Sequence, residues 1–471
     1  MNIRRNSALV FEDTYTLEGL LAQLNKPDDA MRNYEESLAI KRSLAQKPGI
    51  ALTLGNIARV QASLGKPEDA NKSYLEAVKL QREIGDKKGL GVTLINLGEL
   101  YAERSRHEEA LKAYKESLQI HRDVGDENRQ ALCLNNIGNV YLAKGQSSDA
   151  LTYYERALEL RKKANVPSQV GETLHNLGEA SLKAGDYGQS LDYHLKALEL
   201  FRSSGDKSGA AIQSYSMGTI FEYQGRYGAA LKSKEEALKT FRELQDRGFW
   251  MAEILSGYGN SLSQLGRYDE AQKNLTEAMA MARELQNKTL VAQILNFQGD
   301  AFYHRGDIKS AANLFSLAVA ASSAEVEKDV ALLSKYNTAK CAVEEKRQTA
   351  IAPLKTLVQD ADAAGLRNIS TAATLALGEA FLNAHQYPAA KKELETSLST
   401  SEKLGLQVLL ARSHYLLGRS IELSGNGSAE ALPHYAAAKR ILESIRQESG
   451  SDGILKREDL SAIAAQPAGQ P

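Results

Sequence analysis

The chain has 471 residues, among them 9 prolines and 1 tryptophan, and proline at about 2% against a usual 5% disfavours a fold of many short strands and points to helix. Charged residues at 25% and apolar ones at 43% match a folded globular chain and exclude a disordered one. With 58 basic against 59 acidic side chains the formal charge is −1, so no global field draws the protein to nucleic acid or to anionic lipid.

The start, Met1-Asn2-Ile3-Arg4-Arg5-Asn6, leads only into Ala8-Leu9-Val10-Phe11 and then Glu12-Asp13, which is no secretory apolar core. The longest apolar-looking run, 314–321, is interrupted by Ser316 and falls far short of the roughly 20 residues of a spanning helix. Cys133 and Cys341 are too few for a disulfide framework and too far apart in sequence for a zinc knuckle. A cytoplasmic protein is expected, without membrane or nucleic-acid partners.

Along the chain, units begin near residues 9, 51, 91, 131, 171, 211, 252, 292, 331, 371 and 411. The segment Asn135-Asn136-Ile137-Gly138-Asn139 aligns with Asn96-Leu97-Gly98, Asn176-Leu177-Gly178 and Ser216-Met217-Gly218 at steps of 40 residues, and Gly259, Gly299, Gly378 and Gly418 continue the column. Twelve residues later comes a second small column, Ala30 through Ala110 and Ala150 to Ala431. Four further on stands a bulky column: Tyr34, Tyr74, Tyr114, Tyr154, His194, Phe315 and Tyr435, with Leu275, Leu354 and Leu394 in other copies and Lys234 as the exception.

Spacings of three and four within each unit predict two helices, with Leu134, Ile137, Gly138 and Tyr141 as the buried stripe of a first helix and Ala150, Tyr154 and Ala157 as that of a second. Asn25, Gly65, Gly145, Gly185, Gly225, Gly266 and Gly306 are expected to end first helices in the left-handed conformation. Pro27, Pro67, Pro353, Pro388 and Pro433 fall between helices or in the first turn of a second helix. Gly85-Asp86, Gly125-Asp126 and Gly205-Asp206 close second helices. Small residues in register leave room for a neighbour's aromatic ring. One unit cannot offset the entropy of ordering its own backbone, roughly 1–2 kcal/mol per residue, so stacking into one continuous array is expected.

These columns resemble tetratricopeptide repeats, over about residues 9–447. The common motif repeats every 34 residues; the 40-residue units with Asn-Leu-Gly in the first helix are similar to those of Leu-Gly-Asn-repeat adaptors and, more loosely, kinesin light chains, and bacterial regulators carry similar arrays. The resemblance implies an all-α fold, an α-solenoid forming a right-handed TPR superhelix of about eleven helix-turn-helix units over residues 1–447. A flexible C-terminal tail, 448–471, follows. Within it 454–463 reads as one short amphipathic helix whose Ile454, Leu455, Leu460 and Ile463 fold back to cap the final repeat, with 466–471 disordered. Departures fall at Glu18 in the small column, around 338–357 where glycine and aromatic are lost, and near Gly425-Asn426-Gly427.

No catalytic constellation emerges. His121-Arg122-Asp123 with Asn128 matches the spacing of a kinase catalytic loop, but in the repeat frame it is a helix end and a turn, and no phosphate-binding loop accompanies it. No histidines pair at a metal-ligand spacing, and His194, in the aromatic column, reads as a packed core histidine. No metal and no cofactor are expected.

The candidate site is a column of asparagines. Asn56, Asn96, Asn136 and Asn176 recur once per unit, and each aligns on its helix with the residue three later: Arg59, Glu99, Asn139 and Glu179. This stripe is offset from the buried one and is expected to face the concave groove. An amide both donates and accepts, so a ladder of amides either grips the backbone of a peptide segment, the role that the resemblance implies, or bonds to the adjacent repeat and stiffens the array. The column becomes Ser216, Gly257 and Phe297 in later units, which concentrates expected recognition in the first half. Phe249-Trp250-Met251 is either an exposed anchor or a plug between units. The leading expectation is a non-catalytic scaffold that binds a peptide segment of a partner protein; the alternative is a sensor segment of a bacterial signalling or transcription-control system.

Overall fold

A computed structural model describes residues 27–322, 326–425 and 428–466. It divides into two compact units, one made of residues up to Val140 with Thr152–Ala164, the other of Tyr141–Leu151 with residues from Asn165 onward. The expected helix near residue 9, with Glu18 and Asn25, the Asn426-Gly427 insertion and the disordered end beyond residue 466 lie outside the described residues.

Among the described residues the chain is helical throughout, without strands. The helices are α1 (Pro27–Ser43), α2 (Lys47–Ser63), α3 (Pro67–Ile84), α4 (Lys87–Glu103), α5 (His107–Asp123), α6 (Glu127–Ala143) and α7 (Ser147–Ala164). They continue with α8 (Pro167–Lys183), α9 (Tyr187–Ser203), α10 (Lys207–Tyr223), α11 (Tyr227–Glu243), α12 (Phe249–Gln264), α13 (Tyr268–Glu284), α14 (Lys288–His304) and α15 (Ile308–Ala321). Last come α16 (Lys328–Glu344), α17 (Ile351–Ala363), α18 (Arg367–Asn383), α19 (Tyr387–Leu404), α20 (Gln407–Leu423), α21 (Ser428–Gln447) and the single turn α22 (Ser461–Ala464). The even-numbered helices from α2 to α20 are the first helices of the sequence units, and each packs on its successor, as α4 does on α5 and α20 on α21.

The two periodic columns meet inside each unit. A Cβ on Gly98 would come within 2.6 Å of Tyr114, one on Gly138 within 2.6 Å of Tyr154, and one on Gly299 within 2.4 Å of Phe315. Each ring therefore lies flat on the bare backbone of the partner helix sixteen residues earlier, which is how Tyr114, Tyr154 and Phe315 become buried. Turns follow the sequence as well. Gly85 is left-handed at φ 73°, and Asp86 then caps α4 by accepting the Gly89 N–H. Where no glycine is available the turn still needs one left-handed residue, and Ser105 and His385 take φ 56° and 59°. Pro433 departs from expectation: it lies inside α21, beyond its first turn, where it removes one helical hydrogen bond. Around 338–357, a 3₁₀ turn (Gln348–Ala350) precedes the shortened α17, and Leu354 fills the aromatic slot, fully buried.

Within the second unit, later helices return to earlier ones. Asn368 donates to the Tyr223 hydroxyl at 3.1 Å, and Gly145 has no room for a Cβ because the Ala364 carbonyl would lie 2.9 Å from it. Residues 448–466 complete the closure: the Gly228 N–H donates to Glu448 Oε2 at 2.9 Å, and the Tyr268 hydroxyl donates to the Lys456 carbonyl at 3.2 Å. Ile454, Leu460 and Ile463 are buried against Leu442 and Ile445 of α21 and also against Tyr227 and Leu265, while Leu455 is exposed. In place of one amphipathic helix there are two 3₁₀ turns, Asp452–Lys456 and Glu458–Leu460, ahead of α22. Arg457, extended at ψ 119°, separates the two turns, and its guanidinium reaches Asp459.

Candidate binding cavity

The stripe of polar positions three residues apart on the first helices has a different environment in each unit. In the first unit, Asn56, Asn96 and Asn136 are half-buried and Arg59, Glu99 and Asn139 are exposed. The Asn136 amide donates to Glu99 Oε1 of the preceding repeat at 3.3 Å, and the Tyr154 hydroxyl donates to Asn139 Oδ1 at 2.7 Å. Although the residue as a whole is exposed, partial desolvation of its carboxyl raises the Glu99 pKa, against the lowering effect of the Asn136 bond. In the second unit Asn176 and Glu179 are half-buried, and the Ser216 hydroxyl donates to Glu179 Oε1 at 2.8 Å, in the same repeat-to-repeat register as Asn136 and Glu99.

In the second unit the stripe also lines a cavity. Glu179, Ser216, Gly257, Phe297 and Asn337, one from each of five successive first helices, border a space of about 470 Å³ that α18, α20 and Arg457 close from the other side. The column extrapolated from the asparagines thus runs along the wall of the cavity, although the cavity begins only at Glu179, past the asparagine-bearing helices of the first unit.

Cavity charges are matched pair by pair. Lys234, the one lysine in the aromatic column, threads its stem over Gly218, where a Cβ would lie 2.9 Å from Lys234 Cγ. Its ammonium sits 2.8 Å from Glu222 Oε2 and donates to the Gly257 carbonyl at 3.3 Å. Lys340 meets Asp300 at 2.8 Å, and Lys183 meets Glu327 and Asp329 at 3.0 Å each. Burial alone would lower the pKa of Lys340 and of Lys183, but the facing carboxylates outweigh it and raise both above the ordinary value. Arg457 is tied to Asp459 at 2.8 Å and donates to Gln264. Glu253 is held by neutral groups instead, the Tyr215 hydroxyl at 2.7 Å and the Gln293 amide at 2.9 Å, and burial raises its pKa.

Of these, the Lys234–Glu222 pair left a trace in the sequence, because a lysine in an otherwise aromatic column needs a buried counter-ion. Asp300–Lys340 and Arg457–Asp459 left none. Met251 is buried and Trp250 is partly buried, whereas Phe249 is 42% exposed, so the apolar run 249–251 divides between the two readings. His121, in the kinase-like run, is a buried ring packed over Gly91, whose Cβ would lie 2.6 Å from it. No helix among the described residues is long and apolar enough to cross a membrane.

Paired helices locked by glycine and aromatic columns define a tetratricopeptide-repeat solenoid, and a tetratricopeptide-repeat family model matches residues 89–163. The chain belongs to the family of MalT-like TPR regions, whose model matches residues 140–417; a model for anaphase-promoting complex subunit 5 matches residues 28–99. No protein among the curated sequences matches the chain. Among solved structures, a Rap protein complexed with Competence and Sporulation Factor is similar at 14% identity and TM-score 0.56, covering 76% of this chain and 99% of that one. The apo form of RapI is similar at 16% identity and TM-score 0.52, covering 77% and 97%. Both likenesses are of fold.

Proposed function

We propose that the chain is a non-catalytic scaffold whose first-helix face binds a peptide segment of a partner protein, with the cavity of the second unit as its deepest receptor. The observation that carries this reading is the convergence of side-chain amides, Asn260, Gln264, Gln293, Asn337 and Asn368, on one cavity whose lysines are already matched by carboxylates. Amides pair with the N–H and C=O groups of any backbone. A volume of about 470 Å³ falls within the roughly 300–1,000 Å³ of ligand sites and suits a short stretch or a chain end. Glu253, held only by neutral partners, favours an occupant that brings a positive group there. Asn56, Arg59, Asn96, Glu99, Asn136 and Asn139 form a polar stripe of their own in the first unit, and Asn176 with Glu179 its counterpart in the second, each a candidate surface for an extended backbone.

Peptides selected from a random display library on the full chain test the proposal. Selected peptides are expected to protect amides of α12 and α14 from hydrogen exchange, and Asn260→Ala with Gln293→Ala to weaken them about tenfold or more, a loss of ~1.4 kcal/mol. Binding unchanged by that pair, or no selected peptide, overturns the cavity reading.

A second reading, a sensor segment of a bacterial signalling or transcription-control system, is favoured by Arg457, through which the folded-back segment 448–466 contributes to the cavity wall, so that an occupant that prefers one position of the segment would shift its equilibrium. A ligand-driven change in the radius of gyration by small-angle scattering supports the sensor; an unchanged radius supports the static scaffold.

A further inference from the structure

His194 occupies the slot that Tyr34, Tyr74, Tyr114 and Tyr154 fill in earlier units, and it is fully buried. Its ring lies over Gly178, where a Cβ would come within 2.5 Å of Nε2. Packing alone explains the ring's position but not its polar atoms. His194 Nδ1 is 2.8 Å from Gln213 Oε1, and His175 Nδ1 is 3.2 Å from the same oxygen. The Gln213 amide nitrogen is turned to the Gly209 carbonyl at 3.4 Å, which assigns the oxygen to the side of the rings. A carbonyl oxygen only accepts, so both Nδ1 atoms carry their protons, and in neutral rings Nε2 keeps the lone pair.

For His194 that lone pair is buried without a hydrogen-bond partner and lies 3.6 Å from Glu179 Oε1. A lone pair facing a carboxylate away from water is unfavourable unless a cation lies between them. One ligand atom from each of His175, Glu179 and His194 lies within 4.8 Å of the others. His175 and Glu179 stand one turn apart on α8, and His194 reaches in from α9.

We propose that His175, Glu179 and His194 bind a divalent transition-metal ion of the zinc class. Two imidazoles and one carboxylate suit zinc, whereas magnesium and calcium favour all-oxygen sets. Zinc bonds of about 2.0–2.1 Å put ligand atoms roughly 3.4 Å apart. The Glu179–His194 separation is already close to that, and side-chain rotation closes the rest. Gln213 is the outer-shell acceptor that orients both rings, a role that in metal sites is typically worth about 10–100-fold in affinity. Three protein ligands leave a fourth position for water, or for a donor atom of whatever enters the cavity that Glu179 lines. This inference does not depend on what that occupant is.

The test is a zinc titration of the chelator-stripped full chain against a chromophoric chelator. One equivalent per chain is expected, with His175→Gln and Glu179→Gln each lowering affinity at least tenfold and Gln213→Leu about tenfold. The single tryptophan, Trp250, has its ring 6.0 Å from that of His175, so cobalt added to the unaltered protein is expected to quench its fluorescence stoichiometrically, a readout that needs no variant to fold. The inference is overturned by zinc that fails to bind, by binding that survives the His175→Gln, Glu179→Gln double variant and so belongs elsewhere, for example at the His414–His434 pair, or by undiminished Trp250 emission with cobalt. Any of these outcomes leaves Glu179 and His194 sharing a proton instead.

Discussion

Gly138 and Gly55 both sit inside first helices of the first unit, yet the same substitution has opposite consequences at the two. A methyl at Gly138 would meet Tyr154 at 2.6 Å, and Tyr154 is fully buried with nowhere to retreat; at Gly55 the nearest atom would be Thr93 Oγ1 at 3.9 Å. Gly138→Ala is expected to cost about 1–3 kcal/mol by overpacking, and Gly55→Ala to gain about 0.5–1 kcal/mol by stiffening the unfolded chain and favouring helix, both measured by urea denaturation. Titration belongs to this scale too. Burial, reinforced by Arg457, Lys340 and Arg412 against the opposing Asp459, holds the His304 pKa well below its ordinary 6.5. Below pH 6.5 the unfolded chain takes up a proton that the folded chain refuses, so stability falls as pH drops from 6.5 toward the folded value; above 6.5 both states are neutral and the contribution is flat. The thermal midpoint is expected to fall between pH 7 and pH 5, at a slope of at most ~1.4 kcal/mol per pH unit from this group, and His304→Gln to flatten that fall.

Elements were legible in the sequence to the extent that they obey nearest-neighbour rules. Glycine and aromatic columns sixteen residues apart within each unit specify which face of each helix meets its partner, and the left-handed turn glycines specify where helices stop; both depend on residues within one unit. The polar stripe was legible for the same reason, since Asn96, Asn136 and Asn176 mark a face that the core does not use. What encloses the cavity was not legible. Gly145, Gly185 and Gly225 read only as helix stops, yet each also leaves space where Ala364, Leu404 and Gln407 approach, and no periodicity links residues so far apart. The segment 454–463 shows both sides: its apolar residues announced docking, but the bed formed by Tyr227 and Leu265 was invisible. Ile454 is fully buried in that bed and Leu455 is 42% exposed. Ile454→Ala is therefore expected to cost about 2–5 kcal/mol and Leu455→Ala under ~0.5 kcal/mol, a contrast that calorimetric unfolding of the two variants resolves.

At the scale of the molecule, closure changes how the second unit should lose structure. An open solenoid frays from its ends, because each repeat is held only by its neighbours. Here the Gly228 N–H donates to Ser451 Oγ at 3.0 Å across 223 residues of sequence, and Lys183 pairs with Glu327 across 144. Such contacts tie earlier helices of the unit to later segments, and those made by residues 448–466 fall on α11 and α12, so these helices are expected to open only when the C-terminal segment has left them. Ending the chain after Gln447 removes the partners of Gly228 and Gln264 and one of the two carbonyls that face the Tyr268 hydroxyl, and strips Tyr227 and Leu265 of their apolar cover. In the full chain, amides of α11 and α12 are expected to exchange at the slow rate of the unit's core. In the shortened chain they should exchange at least tenfold faster, with amides of α2 to α5 in the first unit unchanged. Equal exchange in the two proteins would mean that helix stacking alone holds the unit and that the segment merely rests on it. A selective gain at α11 and α12 would identify residues 448–466 as the clasp that holds these two helices in place.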